Sequence, residues 1–173
     1  VFAGAVFDVV RAKFRAPDGE QFDRDVVRSG GAVGVIPVID GRDGRRHTVL
    51  VRQYRPPFDR AILEIPAGMR DVDGEDDSET AQRELIEEVG LEAAEVKLLC
   101  SFLPQPGMTD SVIAVYVATG CAAVERRLHG PEERHMDVVR LPLDEAAEMV
   151  IRGEITDAKS VIALLLLASP TRP

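Results

Sequence analysis

A chain of 173 residues, 45% hydrophobic and 29% charged, fits one globular domain with a sizeable core. Its net charge of -9, with no basic run and no aromatic residues interleaved among basic ones, argues against polymeric DNA or RNA as a partner. The two cysteines, Cys100 and Cys121, have neither CxxC spacing nor a nearby His cluster, so they read as reduced residues of a cytoplasmic protein. The longest apolar run, 161–168, is too short to span a bilayer, so no membrane partner is expected. No charged region followed by an apolar block opens the chain, although a start at Val1 leaves an upstream targeting segment open.

Residues 1–30 alternate apolar and polar positions weakly around a Pro17-Asp18-Gly19 turn, which predicts a strand, turn, strand unit. After Gly30-Gly31, the apolar segments 33–39 and 48–54 flank Asp40-Gly41-Arg42-Asp43-Gly44 and predict a hairpin. Segment 61–65 leads into a Gly-containing loop. Segments 96–103 and 112–118 are apolar enough for central strands, separated by a Pro104-Gln105-Pro106-Gly107 loop, and 138–141 reads as a further short strand. Residues 144–152 and 157–168 read as helices, the first opened by Pro142 and Asp144 and closed by Gly153. Strands interleaved with three helices suggest a mixed sheet between helical layers, a pattern that still leaves several α+β folds open.

The chemistry concentrates in 64–91. Asp76 or Ser78 can cap the start of a helix, Asp76 and Glu79 have capping-box spacing, and Gly90 can close the helix after about a dozen residues. Leu85 and Val89 share one face of it with Ala81 close by, while Glu84, Glu87 and Glu88 fill an arc about 100° wide on another side. Like charges at these offsets repel, and they stand toward the helix end where the macrodipole disfavours acids. One reading is a solvated acidic face with Arg83 paired to Glu87. The other is a cation site, because the adjoining Pro66-Ala67-Gly68 turn can add a backbone oxygen to the carboxylates. An all-oxygen set without His or Cys suits magnesium or manganese rather than zinc.

The stretch Gly68…Glu75…Arg83-Glu84-Leu85-x-Glu87-Glu88-x-Gly90-Leu91 resembles the Nudix box, the signature of hydrolases that cleave a nucleoside diphosphate linked to another group. Gly68 to Glu75 encloses six residues where the family usually has five, and the extra one falls in the loop before the helix. Gln53-Tyr54-Arg55, Glu64-Ile65-Pro66-Ala67-Gly68 and Pro106-Gly107-x-x-Asp110 further resemble the ADP-ribose pyrophosphatase branch. Ser111 stands where that branch usually has Glu.

The resemblance implies an α/β fold, a Nudix-type α/β/α sandwich with a mixed sheet (31–173) preceded by the N-terminal β unit (1–30), which would be exchanged in a homodimer. It implies magnesium-dependent hydrolysis of ADP-ribose, a small nucleoside diphosphate substrate, to AMP and ribose 5-phosphate. Glu84 and Glu88 would be the principal metal ligands, with Glu87 supporting, the Ala67 carbonyl as a backbone ligand and Arg83 orienting a box carboxylate. Glu64 would join the metal shell through water, Arg55 would bind phosphate, and Gly107 and Asp110 would meet the substrate. The base would be a Glu in a loop well after the box: Glu133 is preferred to Glu132, with His135 as a rival. Another nucleoside diphosphate derivative as substrate, or a sensor that binds without hydrolysing, stays open.

Overall fold

The computed structural model describes residues 1–127 and 136–169. Strands β4 (Ala32–Asp40) and β5 (Arg46–Arg55) form the expected hairpin, paired from Val38↔Thr48 to Asp40↔Arg46. Beyond that ladder the two strands take different partners. The other end of β4 lies between β7 (Ala67–Met69), antiparallel, and β10 (Ile113–Thr119), parallel, whereas β5 is flanked by β6 (Arg60–Glu64) and β12 (Asp137–Pro142). The turn from β6 to β7 bridges this fork, where the Val35 amide donates to the Pro66 carbonyl at 2.8 Å.

With β9 (Glu95–Phe102), the sheet is mixed, as expected, in the order β12-β5-β4-β10-β9, with β6 beside β5 and β7 beside β4. β9 closes one edge of it, although the sequence suggests a central strand. The polar residues Glu95, Lys97 and Ser101 account for the edge position, and Leu98 is left exposed there.

Successive residues of the inner strands feed opposite layers. Val49 and Val51 face α1 (Asp77–Val89) together with Val33, Val35 and Leu85. Leu50 joins Ile36, Val115 and Leu164 beneath α2 (Leu143–Ile151) and α3 (Ala158–Ala168). The result is an α/β/α sandwich.

The first residues form a sheet of their own: β1 (Phe2–Ala3), β2 (Asp8–Arg15) and β3 (Gln21–Arg28). The β2–β3 ladder pairs Phe14 with Phe22, rings stacked at 5.9 Å, and turns through Gly19 at φ 95°, a conformation that favours glycine. It meets the body at Val27, whose amide donates to the Met108 carbonyl at 2.9 Å and whose carbonyl accepts from Thr109 Oγ1 at 2.8 Å. A further ladder joins β8 (Leu91–Glu92) to β11 (Ala122–Ala123). Cys100 and Cys121 are half-buried and form no disulfide, and no helix among the described residues is long and apolar enough to cross a membrane.

Candidate active site

Helix α1 begins and ends where its caps predict. Asp76 accepts from the amides of Ser78 (2.8 Å) and Glu79 (3.0 Å), while the Glu79 carboxylate accepts from the Asp76 amide at 3.0 Å. Gly90 terminates the helix at φ 66°. Leu85 and Ala81 are wholly buried on its core side.

Its acids are buried too: Glu84 is 7% exposed, Glu87 9% and Glu88 6%. That burial is incompatible with a solvated acidic face. The Pro66-Ala67-Gly68 turn lies directly against these acids. The Ala67 amide donates to Glu88 Oε2 at 3.0 Å. A Cβ at Gly68 would stand 1.9 Å from Glu84 Oε1, so the close approach of turn and carboxylate requires glycine.

Arg83 gathers the remaining charges. Its Nη1 donates to Glu84 Oε1 at 2.5 Å and Glu87 Oε2 at 3.2 Å, and its Nε and Nη2 reach the two Glu75 oxygens at 3.0 and 3.1 Å. Thr80 Oγ1 also donates to Glu75, at 2.8 Å. The extra loop residue therefore leaves Glu75 within reach of the helix. The turn that absorbs it carries Gly74 at φ 82°, and the Glu75 amide bonds back to the Val72 carbonyl at 3.2 Å.

The electrostatics follow from these contacts. Arg83's hydrogen bond, above all, holds Glu75 below the usual carboxylate range, and the same bond raises Arg83. Burial pushes Glu84 up to about 7; Arg83 opposes the rise and the charge of Glu87 adds to it. One arginine thus leaves this acid cluster short of positive charge.

The donor set fits a hard divalent cation: buried carboxylate oxygens, a cradle kept open by the missing side chain of Gly68, and excess negative charge. Among the described residues no group of three or more Asp, Glu, His or Cys side chains is arranged to hold a metal ion by itself. Magnesium characteristically takes one or two carboxylates and completes its shell with water and substrate phosphate, so an open site suits it.

A second charged group lies on the other side of the turn. Arg55, at the end of β5, donates through Nε and Nη2 to the two oxygens of Glu64 at 2.7 and 2.8 Å. Glu64 is 2% exposed and also accepts from Lys159 Nζ at 2.5 Å. Burial alone would raise Glu64, but hydrogen bonds from Arg55 and the charge of Lys159 outweigh it and hold the group low. Arg55 and Glu64, predicted separately as a phosphate contact and a member of the metal shell, are thus one bidentate pair.

Gly107 is exposed at the tip of its loop, and Asp110 is ion-paired with Arg28 of β3. Glu132, Glu133 and His135 lie outside the described residues. Two residues escape the sequence patterns. Arg70 donates to both oxygens of Asp77 at 2.6 and 2.8 Å and to the carbonyls of Gly30 and Val112, tying the start of α1 to the sheet. Lys159 has one local signal, being the sole charge in an otherwise apolar α3.

A mixed sheet between helical layers, with buried acids of one helix packed on a glycine turn, is the arrangement that the Nudix resemblance implies. The NUDIX domain profile matches residues 28–164, and the chain belongs to the Nudix family. Among similar proteins, the methanol dehydrogenase activator of Bacillus methanolicus is 38% identical over 167 residues, covering 96% of this chain and 88% of its own. The ADP-ribose pyrophosphatase of Mycobacterium tuberculosis is also 38% identical, over 97% of this chain and 79% of its own length. A crystal structure of an ADP compounds hydrolase superposes with a TM-score of 0.81 at 26% identity, covering 96% of this chain and 87% of that one.

Proposed function

We propose that this protein hydrolyses the pyrophosphate of ADP-ribose to AMP and ribose 5-phosphate with magnesium, manganese being able to replace it. The observation that carries the proposal is the contact of the Ala67-Gly68 turn with buried Glu84 and Glu88. The names of the Mycobacterium tuberculosis relative and of the structural neighbour support the substrate.

When bound, the cation would neutralise the diphosphate and polarise phosphorus. Glu84 and Glu88 would hold it, with Glu87 and the Ala67 carbonyl completing the protein's share. Arg83 restrains the carboxylates of Glu84 and Glu87 through charge-assisted hydrogen bonds. Arg55, its guanidinium plane set by Glu64, would meet a phosphate oxygen pair. Gly107 and Asp110 would border the remainder of the substrate.

Glu133 would take a proton from the attacking water as its hydroxyl joins one phosphorus, and the bridging oxygen would leave with the other phosphate. Glu133→Gln is expected to lower kcat about 10²-fold or more while changing KM little, measured by steady-state kinetics. A larger loss from His135→Ala would move the base to that residue.

The N-terminal unit, 1–30, would pack as an exchanged element in a homodimer and 31–173 would form the catalytic domain. Exposed Phe2, Val6, Phe7 and Phe14 support this arrangement. Another nucleoside diphosphate derivative is the second reading, favoured by Ser111 and by the equally similar methanol dehydrogenase activator.

The test is product analysis with magnesium and a panel of ADP-ribose, other nucleoside diphosphate sugars, dinucleotides and oxidised nucleoside triphosphates. AMP and ribose 5-phosphate appearing fastest from ADP-ribose supports the proposal. Faster cleavage of another compound overturns the substrate and keeps the hydrolase. Tight binding without cleavage makes the protein a sensor.

A further inference from the structure

Two consecutive residues of α3 grip two consecutive residues of the turn that leads to the acid cluster. Lys159 Nζ donates to Glu64 Oε2 at 2.5 Å, and Ser160 Oγ accepts from the Ile65 amide at 2.8 Å. Both α3 side chains are held from behind by the N-cap residue Asp157. Its Oδ1 lies 3.0 Å from Lys159 Nζ, and its Oδ2 accepts from the Ser160 hydroxyl at 2.6 Å and amide at 3.0 Å.

The next residues are pinned by the sheet itself and by the helix on its other face. The Pro66 carbonyl accepts from the Val35 amide of β4 at 2.8 Å, and the Ala67 amide donates to Glu88 of α1 at 3.0 Å. The segment 64–67 is therefore fixed residue by residue between the two helical layers. Glu64 also fixes Arg55, and Ile65 is wholly buried.

Stability alone is a weak reason for this device. Desolvating an ammonium and a carboxylate is costly, and apolar replacements of buried ion pairs are often as stable or more so. Lys159 and Glu64 are 8% and 2% exposed, so that cost applies to both. Hydrogen bonds to charged groups do, however, impose direction, which apolar packing does not.

We propose that Lys159 is a positioning residue: by holding Glu64 it sets both the guanidinium plane of Arg55 and the register of the Ala67-Gly68 turn against Glu84 and Glu88. This inference rests on the reading of the α1 acids and their turn as the reactive centre. In this role Lys159 acts through Glu64 rather than on the substrate or the cation.

The test is a double-mutant cycle of Lys159→Met and Glu64→Gln. Its readouts are kcat/KM on whichever panel compound the wild type cleaves fastest and amide hydrogen exchange by NMR at Ala67 relative to Leu85. Lys159→Met is expected to lower kcat/KM about tenfold or more in the wild-type background and less than about threefold in the Glu64→Gln background. Exchange at Ala67 should accelerate about tenfold relative to Leu85 within the core of α1. Equal losses in the two backgrounds, or Ala67 exchange that stays in step with Leu85, would overturn the proposal. Should Lys159→Met not fold, Lys159→Gln takes its place in the same cycle. A wild type that cleaves no panel compound defeats the proposed function, and the exchange ratio then decides the positioning role by itself.

Discussion

Helix α1 with its turn and the N-terminal β unit are both well ruled by sequence, yet they are stabilised in opposite ways. The α1 region buries what a protein ordinarily exposes: three glutamates lie inside, beside a wholly buried Leu85. The N-terminal unit exposes what a protein ordinarily buries: Phe2, Val6, Phe7 and Phe14 are exposed on a unit whose joint with the body includes the hydrogen bonds at Val27. A buried acid cluster asks for a cation, and an apolar outer sheet asks for a covering surface. On the proposed function, each region would be completed by something outside the folded chain.

That contrast can be broken by substitution, beginning with the core. Leu85→Ala should destabilise the protein by about 2–5 kcal/mol in urea unfolding, since a wholly buried leucine leaves a cavity. A change under about 1 kcal/mol would show that α1 is not anchored as described.

The charge of the cluster is next. Glu84 is raised from 4.5 to about 7, so the folded state holds a proton there that the unfolded state has released. Without a cation, its contribution to stability is therefore unpenalised below pH 4.5 and declines as pH rises to about 7. The slope is about 1.4 kcal/mol per pH unit, and the whole effect at most about 3 kcal/mol. In chelator, urea unfolding of the wild type should lose stability over this window relative to Glu84→Gln, and added magnesium should reverse the loss. Parallel curves for the two proteins would contradict the assignment.

The smallest effect belongs to the outer sheet. Phe14→Ser, at a side chain 39% exposed, should change the stability of the body by less than about 1 kcal/mol. It should nonetheless shift the light-scattering mass from dimer toward monomer. A wild type that is already monomeric at micromolar concentration would remove the covering surface from the account.

Local signals carried much of this architecture. Asp76, Glu79 and Gly90 delimit α1 to within a residue or so, because caps act on neighbouring backbone groups. The 40–44 turn announces its hairpin for the same reason. What escaped is what sequence separation conceals. The fork between β4 and β5 depends on β7, three residues long and too short to show a period. Lys159 and Glu64 are 95 residues apart, and nothing local to either names the other. Arg70 similarly reaches carbonyls 40 and 42 residues distant. Leu98 shows a different failure: the apolar count of β9 suggested a central strand, whereas its intervening polar residues placed it at an edge.

The central claim is that the buried acids of α1 constitute the reactive centre. Its most direct test is the kcat of Glu88→Gln on the compound that the wild type cleaves fastest, read beside a thermal melt. The substitution keeps the size of a side chain whose carboxylate meets the Ala67 amide and removes its charge. A fall in kcat of about 10²-fold or more with cooperative unfolding retained is the result this account predicts. Turnover near that of the wild type in a folded protein would contradict it.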